Sequence, residues 1–362
     1  MTISKSLAFT SALLIAGLGL AAQPPDSERP QTGPRAKVFL LGPTPLVVPF
    51  GTQVNGLRVG GLSAIARAAH GGYLAVVDNE GETPARVFRL ELRVGEDGIA
   101  PPRGKAARQV PVAVMRLAGF DGRNFDGEGI ALEASGKLLI SSETEPSIQE
   151  FSGGGKLLAT LPVPPPFLAA EGTGARKNQG FESLTLTPGG VLWTANERAL
   201  QQDAPDDETR PSPVRLLRYE RRGSAFVPGA QFVYEVEPIS RSGDGFMIRG
   251  LAELLALPGG NLLALEREYV EGRGFTIQLF RVSLAGATDV SRLDSLAGRT
   301  YTAVGKTLVY DFARSGFTPD NLEGMTFGPS LADGSPTLVL VSDDNFSPLA
   351  QTQIVALRLP KE

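Results

Sequence analysis

Hydrophobic residues in this chain fall in short runs separated by glycine-bearing turns, and one pattern of run, turn, run and acid recurs five times. The segments are GLSAIARAAHGGYLAVVDNE from Gly61, DGEGIALEASGKLLISSE from Asp126 and GFESLTLTPGGVLWTANE from Gly180. They continue with GLAELLALPGGNLLALERE from Gly250 and NLEGMTFGPSLADGSPTLVLVSDDN from Asn321. The runs are rich in Leu, Ile, Val and aromatics, as strands require, and HGG, ASGK, PGG, PGG and ADGS carry tight-hairpin residues. Each segment is therefore expected to be a β-hairpin.

Weaker strand patterns follow each hairpin: ARVFRLEL and VAVMRL, SIQEF and KLLATL, VRLLRYE and QFVYEV, FTIQLFRV and KTLVYDF. After the fifth hairpin only TQIVALRL remains, so the last repeat is one strand short. The missing strand is available near the other end, at Lys37–Gly42. Four-stranded units roughly 40–70 residues apart predict an all-β propeller of four-stranded blades. Five repeats are counted. A sixth blade has room only in the weakly patterned stretches 43–60 and 198–213. Borrowing the N-terminal strand closes the ring and removes an open sheet edge. A stacked β-sandwich pair accounts for the strand content but not for the period.

Composition agrees with a turn-rich chain. Among 362 residues there are 43 Gly and 28 Pro, spread throughout rather than in one block. The first residues read differently. Lys5 precedes an uncharged apolar run from Leu7 to Leu20 and then Ala21 and Ala22, the order of a secretory signal peptide. The expected division is a signal peptide at 1–22, a flexible leader at 23–35 and a single propeller domain at 36–362. The protein is expected to be periplasmic or extracellular, monomeric, and without a membrane span after signal cleavage.

Side-chain chemistry narrows the function. There is no cysteine and one histidine, His70, so disulfides, thiolate catalysis and Cys- or His-built zinc sites are excluded. The G-x-S-x-G elbow and the R-H-G-x-R-x-P pattern are absent. A net charge of −4 gives no footprint for nucleic acid. What remains is carboxylate, hydroxyl, Arg/Lys and metal chemistry.

The carboxylates are placed symmetrically. Glu128 and Glu143, Glu182 and Glu197, Glu253 and Glu266, and Glu323 and Asp343 flank their turns, with Ser63 and Asp78 in the first repeat. The open ends of five hairpins would converge on one mouth of the ring. Like charges gathered there oppose folding unless compensated. Either a hard cation such as calcium, which takes oxygen ligands, or the neighbouring Arg198, Arg249 and Arg267 would do this. Weaker signals are Phe125–Gly129, part of a calcium-loop pattern without its spacing, the oxygen-rich Ser342–Asn345, and Arg176–Lys177, read as solvated charge. His70 reads as a surface turn residue and Trp193 as inter-blade packing.

The strings D-G-E-G-I, N-Q-G-F-E-S-L-T-L-T-P-G-G, G-L-A-E-L-L-A-L-P-G-G and N-L-E-G-M-T-F-G-P…V-S-D-D-N-F-S occur in order between Gly56 and Leu359. They resemble the phytase-like family, proteins described as having the esterase-like activity of phytase. The resemblance implies kinship with six-bladed, calcium-dependent β-propeller phytases that hydrolyse phosphomonoesters at a carboxylate-lined mouth. The five repeats and the scarcity of basic residues at the acids depart from that pattern. Three functions follow as expectations. The first is a calcium-dependent hydrolase of small phosphoesters, with Glu128, Glu182, Glu253, Glu323, Asp343 and Asp78 as metal ligands. In it Glu143, Glu197 and Glu266 act as ligands or general base, and Arg198, Arg249 and Arg267 steady the phosphate. The others are a non-catalytic binding propeller of the cell envelope and a metal-dependent lactonase or carboxylesterase.

Overall fold

The computed structural model describes residues 37–78, 83–103 and 110–361. The expected signal peptide and leader lie outside the described residues. Five four-stranded antiparallel sheets form a five-bladed propeller. Blade 1 consists of Leu62–Arg67, Tyr73–Val77, Pro84–Leu90 and Pro111–Asp121. Blade 2 is Gly127–Leu132, Leu138–Ser142, Ser147–Phe151 and Leu157–Thr160; blade 3 is Phe181–Leu186, Leu192–Asn196, Ser212–Arg222 and Ala225–Val236. Blade 4 is Met247–Ala256, Leu262–Val270, Gly274–Ser283 and Gly305–Asp311. Blade 5 takes Asn321–Phe327, Thr337–Asp343 and Thr352–Arg358 from the C-terminal end and its outer strand, Phe39–Val48, from the N-terminal end.

That closing strand pairs antiparallel from Phe39 opposite Arg358 to Val48 opposite Thr352, with a register break between Leu41 and Leu46. It therefore runs past Gly42, the end expected from the sequence. The stretches that had room for a sixth blade hold a small hairpin, Gln53–Val54 with Leu57–Arg58, and a loop. Among the described residues no helix is long and apolar enough to cross a membrane.

The first strand of each blade packs against the first strands of its neighbours and forms the inner ring. Among the described residues the main hydrophobic core forms five slabs, one between each pair of neighbouring blades, with two smaller clusters beside them. Ile65, Tyr73, Val339 and Ile354 lie between blades 5 and 1, and Val87, Phe125, Ile140 and Phe151 between blades 1 and 2. Leu139, Phe181 and Leu217 fill the next slab, Trp193, Tyr234 and Leu254 the one after, and Leu265, Met325 and Leu340 the last. Alternation along each strand feeds two slabs at once, which is why the runs read as nearly continuous apolar sequence.

Every inner strand carries a bulge at the same place. The register against the second strand breaks at Ser63, at Glu128, at Glu182, at Ala252 and at Glu323. A bulged residue has no single cross-strand partner, and the strand bends there. These bends sit at the open ends of the hairpins, where the acids gather.

Candidate functional site at the acidic mouth

Seven residues back from the first turn residue of blades 1 to 4 stand Ser63, Glu128, Glu182 and Ala252. Seven residues forward from the second turn residue stand Asp78, Glu143, Glu197 and Arg267. Glu323 and Asp343 close the set in blade 5, whose turn is longer. Two glycines allow the close approach of neighbouring blades: a β-carbon at Gly180 would fall on the Glu143 backbone, and one at Gly250 on the Glu197 carboxylate. The Leu251 N–H donates to the Glu197 carbonyl at 3.0 Å and fixes that contact.

The mouth gathers Asp78, Asp126, Glu128, Glu143, Glu182, Glu197, Glu323 and Asp343. Glu128, Glu143, Glu182, Glu197, Glu323 and Asp343 are buried, and Asp78 and Asp126 half-buried. Carboxylate oxygens of Asp78, Asp126 and Glu128 lie within 4.8 Å of one another. Ser63 Oγ donates to Glu128 and lies 3.4 Å from Glu323, linking blades 1, 2 and 5. Arg267 enters from blade 4 and donates to Glu197 at 2.6 Å, to Asn321 at 2.9 Å and to Glu323. Arg86 adds positive charge near Asp78.

Electrostatics follow from burial and crowding. Desolvation, then the charges of Glu182, Glu143, Asp78 and Asp126, push Glu128 well above the carboxylate range. Burial and then Asp78, Glu197 and Glu323 raise Glu143 to about 8. Glu182 and Asp343 are pushed well up in the same way, and Glu323 is raised by burial against the pull of Arg267. Burial works against the Arg267 charge, but Glu323, Glu197 and Glu182 outweigh it and hold the guanidinium protonated. Among the described residues the site thus crowds more carboxyl groups than its cations can balance once ionised, on oxygen donors alone, which suits a hard divalent cation.

Four of the residues expected here lie elsewhere. Glu253 and Glu266 are each one position off the blade pattern, so strand alternation turns them away from the mouth acids. Glu253 is buried at the inner ring, where its carboxylate accepts the N–H groups of Leu254 at 2.9 Å and Leu184 at 3.2 Å. Glu266 faces blade 3 and accepts from Tyr234 at 2.7 Å, Arg249 at 2.8 Å and Lys306 at 2.6 Å. Arg249 also reaches Glu268, and Arg198 is held by Glu208 and by the Arg249 carbonyl at 2.8 Å. Glu266, Arg249 and Arg198 therefore form a buried ion network that joins blades 3 and 4.

Asp126 joins the mouth as well, two residues before Glu128 in the D-G-E string and outside the set of acids that the turn symmetry picks out. The oxygen-rich Ser342–Asn345 segment has a structural part: Asp344 accepts the Gly61 N–H at 2.9 Å and ties blade 5 to blade 1. Arg176 donates to the Ala204 carbonyl at 2.7 Å, and His70 is exposed in its turn at the opposite face. Replacing Ser63 by Ala is expected to cost about 1–2 kcal/mol of stability, because a buried acceptor on Glu128 loses its donor. The shift of the urea midpoint measures it.

Comparison with known proteins gives three results. The family model "Phytase-like: Esterase-like activity of phytase" matches residues 57–346. An "Uncharacterized secreted protein" of Arthroderma benhamiae is 25% identical over 216 residues, which cover 48% of this chain and 41% of that protein. The match thus spans less than half of that relative's length. Among solved structures, an oxidoreductase of Thermus thermophilus, titled a glucose dehydrogenase, is similar at TM-score 0.36 and 16% identity, covering 83% of this chain and 98% of that one. A gluconolactonase of Xanthomonas campestris is similar at TM-score 0.34 and 13% identity, covering 91% and 99%.

Proposed function

The chain belongs to the phytase-like family, and on that premise we propose an exported, calcium-dependent hydrolase of small phosphoesters or other esters, acting at the acidic mouth. The observation that carries this reading is the excess of buried and half-buried carboxylates at one end of the ring, with oxygen as the donor type. Asp78, Asp126 and Glu128 would hold a cation, and Glu182, Glu323 and Asp343 would complete the oxygen donors around it. When bound, the ion supplies positive charge that polarises a phosphoryl or carbonyl oxygen.

The chain's own residues supply the rest. Glu143 is raised to about 8 while no cation is bound; a bound ion would favour its carboxylate form, which is suited to take a proton from an attacking water. Arg267 holds Glu197 and Glu323 in place rather than reaching outward, since both terminal nitrogens already donate within the ring. Among the described residues, acids outnumber basic side chains at the mouth, which favours substrates with one ester or phosphate group over polyanions. Export rests on the signal-like N-terminal segment and agrees with the secreted relative.

Burial favours one second reading. Glu128, Glu143 and Glu182 are 4%, 6% and 7% exposed, as suits an ion that only braces the ring of a binding propeller. One assay separates the two. The purified protein is loaded with calcium or stripped by chelator, then given p-nitrophenyl phosphate, p-nitrophenyl acetate and a γ-lactone. Calcium-dependent turnover of at least one is expected, with Glu143→Gln lowering kcat about 100-fold or more while bound metal stays constant. No turnover of any of them, with metal still bound, rejects catalysis in favour of the bracing role.

A further inference from the structure

At the end of the ring opposite the acids, a cleft of about 710 Å³ opens between blades 3 and 4. Its walls include Trp193, Phe232, Leu257 and Leu284, and the two Pro-Gly turns at Pro188 and Pro258 form its rim. Trp193 and Phe232 stack at a tilt, with ring centroids 6.0 Å apart. Arg218 sets a cation against this apolar surface, its guanidinium over the Trp193 ring at 6.0 Å. Its side chain is 35% exposed, and its ion pair with the exposed Glu220 is long, at 3.5 Å. Preformed hollows of this size, aromatic-walled with one oriented polar group, are the usual form of a small-molecule site.

We infer that this cleft binds a small aromatic anion, its ring against Phe232, Leu284 and the accessible edge of the otherwise buried Trp193, and its carboxylate or other acidic group on Arg218. A planar guanidinium that is partly exposed, with only a long ion pair at its terminal nitrogens, suits a carboxylate, and the apolar walls suit a flat body. The site is separate from the acidic mouth, whose negative charge would repel such a ligand.

Trp193 is the only tryptophan in the chain, so its fluorescence reports on this cleft. The probes are 2-naphthoate and its uncharged counterpart 2-naphthamide, titrated into the full-length folded protein and followed by fluorescence and calorimetry. One saturable naphthoate site is expected, with naphthamide at least tenfold weaker. Arg218→Gln is expected to weaken naphthoate at least tenfold and to leave naphthamide unchanged. Equal binding of the two probes, or no saturation with naphthoate up to about 1 mM, overturns the inference. The two-probe comparison on the unaltered protein decides the matter even if the variant fails to fold.

Discussion

Stripping divalent metal from the purified protein is expected to lower its thermal midpoint, by an amount that grows as the pH rises from about 4.5 to about 8. Without a cation, Glu128, Glu182, Glu323 and Asp343 keep protons in the folded state that the unfolded chain gives up, as does Glu143, raised to about 8. A carboxyl whose folded pKa is raised contributes its full stability below the unfolded value and loses it as pH climbs through the folded one. Metal-free protein should therefore weaken steadily across this window. Together these coupled groups account for at least a few kcal/mol, since each tenfold difference in proton affinity between the folded and unfolded chain is worth about 1.4 kcal/mol. In a ring of this size that is on the order of 10 °C. Calcium replaces the protons with a charge bound only by the native state, so it stabilises more as the acids ionise. Scanning calorimetry with calcium and with chelator, at several pH values, measures the gap. Glu182→Gln should narrow it. Superimposed melting curves at pH 8 would sink the cation reading.

Deleting residues 37–48 is expected to abolish the folded monomer altogether. The deletion removes the outer strand of blade 5, with Leu41 and Val48 buried at 7% and 5% exposure. It also uncovers the edge of Thr352–Arg358, whose residues are buried except for a half-buried Arg358. That edge would present unpaired N–H and C=O groups along an apolar strand, a template for joining other chains. Size-exclusion chromatography should show aggregate, and circular dichroism should lose its cooperative melt. A synthetic peptide of residues 37–48, refolded together with the deleted chain, should restore part of the monomer by adding the strand back. A deletion variant with the full-length melting curve would refute the closure.

Strand periodicity carried the fold because each blade is local. Two runs and a glycine turn make a hairpin from neighbouring residues, and five copies with one strand missing leave only the chain's other end to supply it. The site was harder to read, because a carboxylate's direction depends on parity and on bulges. In blade 4 the acids Glu253 and Glu266 resemble their counterparts in sequence, yet each is displaced by one position. One position reverses the face, so Ala252 and Arg267 occupy the mouth instead. Counting outward from Gly259 and Gly260, rather than matching acids, would have revealed this. The roles of Arg198 and Arg249 were beyond such counting. Their partners Glu208, Glu266 and Glu268 come together only when loops and blades 3 and 4 pack.

The pairing of Phe39–Val48 with Thr352–Arg358 also imposes a timetable. The strand that completes blade 5 is made long before the strand it needs, Thr352–Arg358. Blades 2, 3 and 4 each consist of consecutive segments and can form as they emerge. Blade 5 cannot, and the hydrophobic slabs on either side of it stay open until Thr352–Arg358 has been made. During that interval the early strand waits with no native partner. Losing Thr352–Arg358 is therefore as damaging as losing Phe39–Val48.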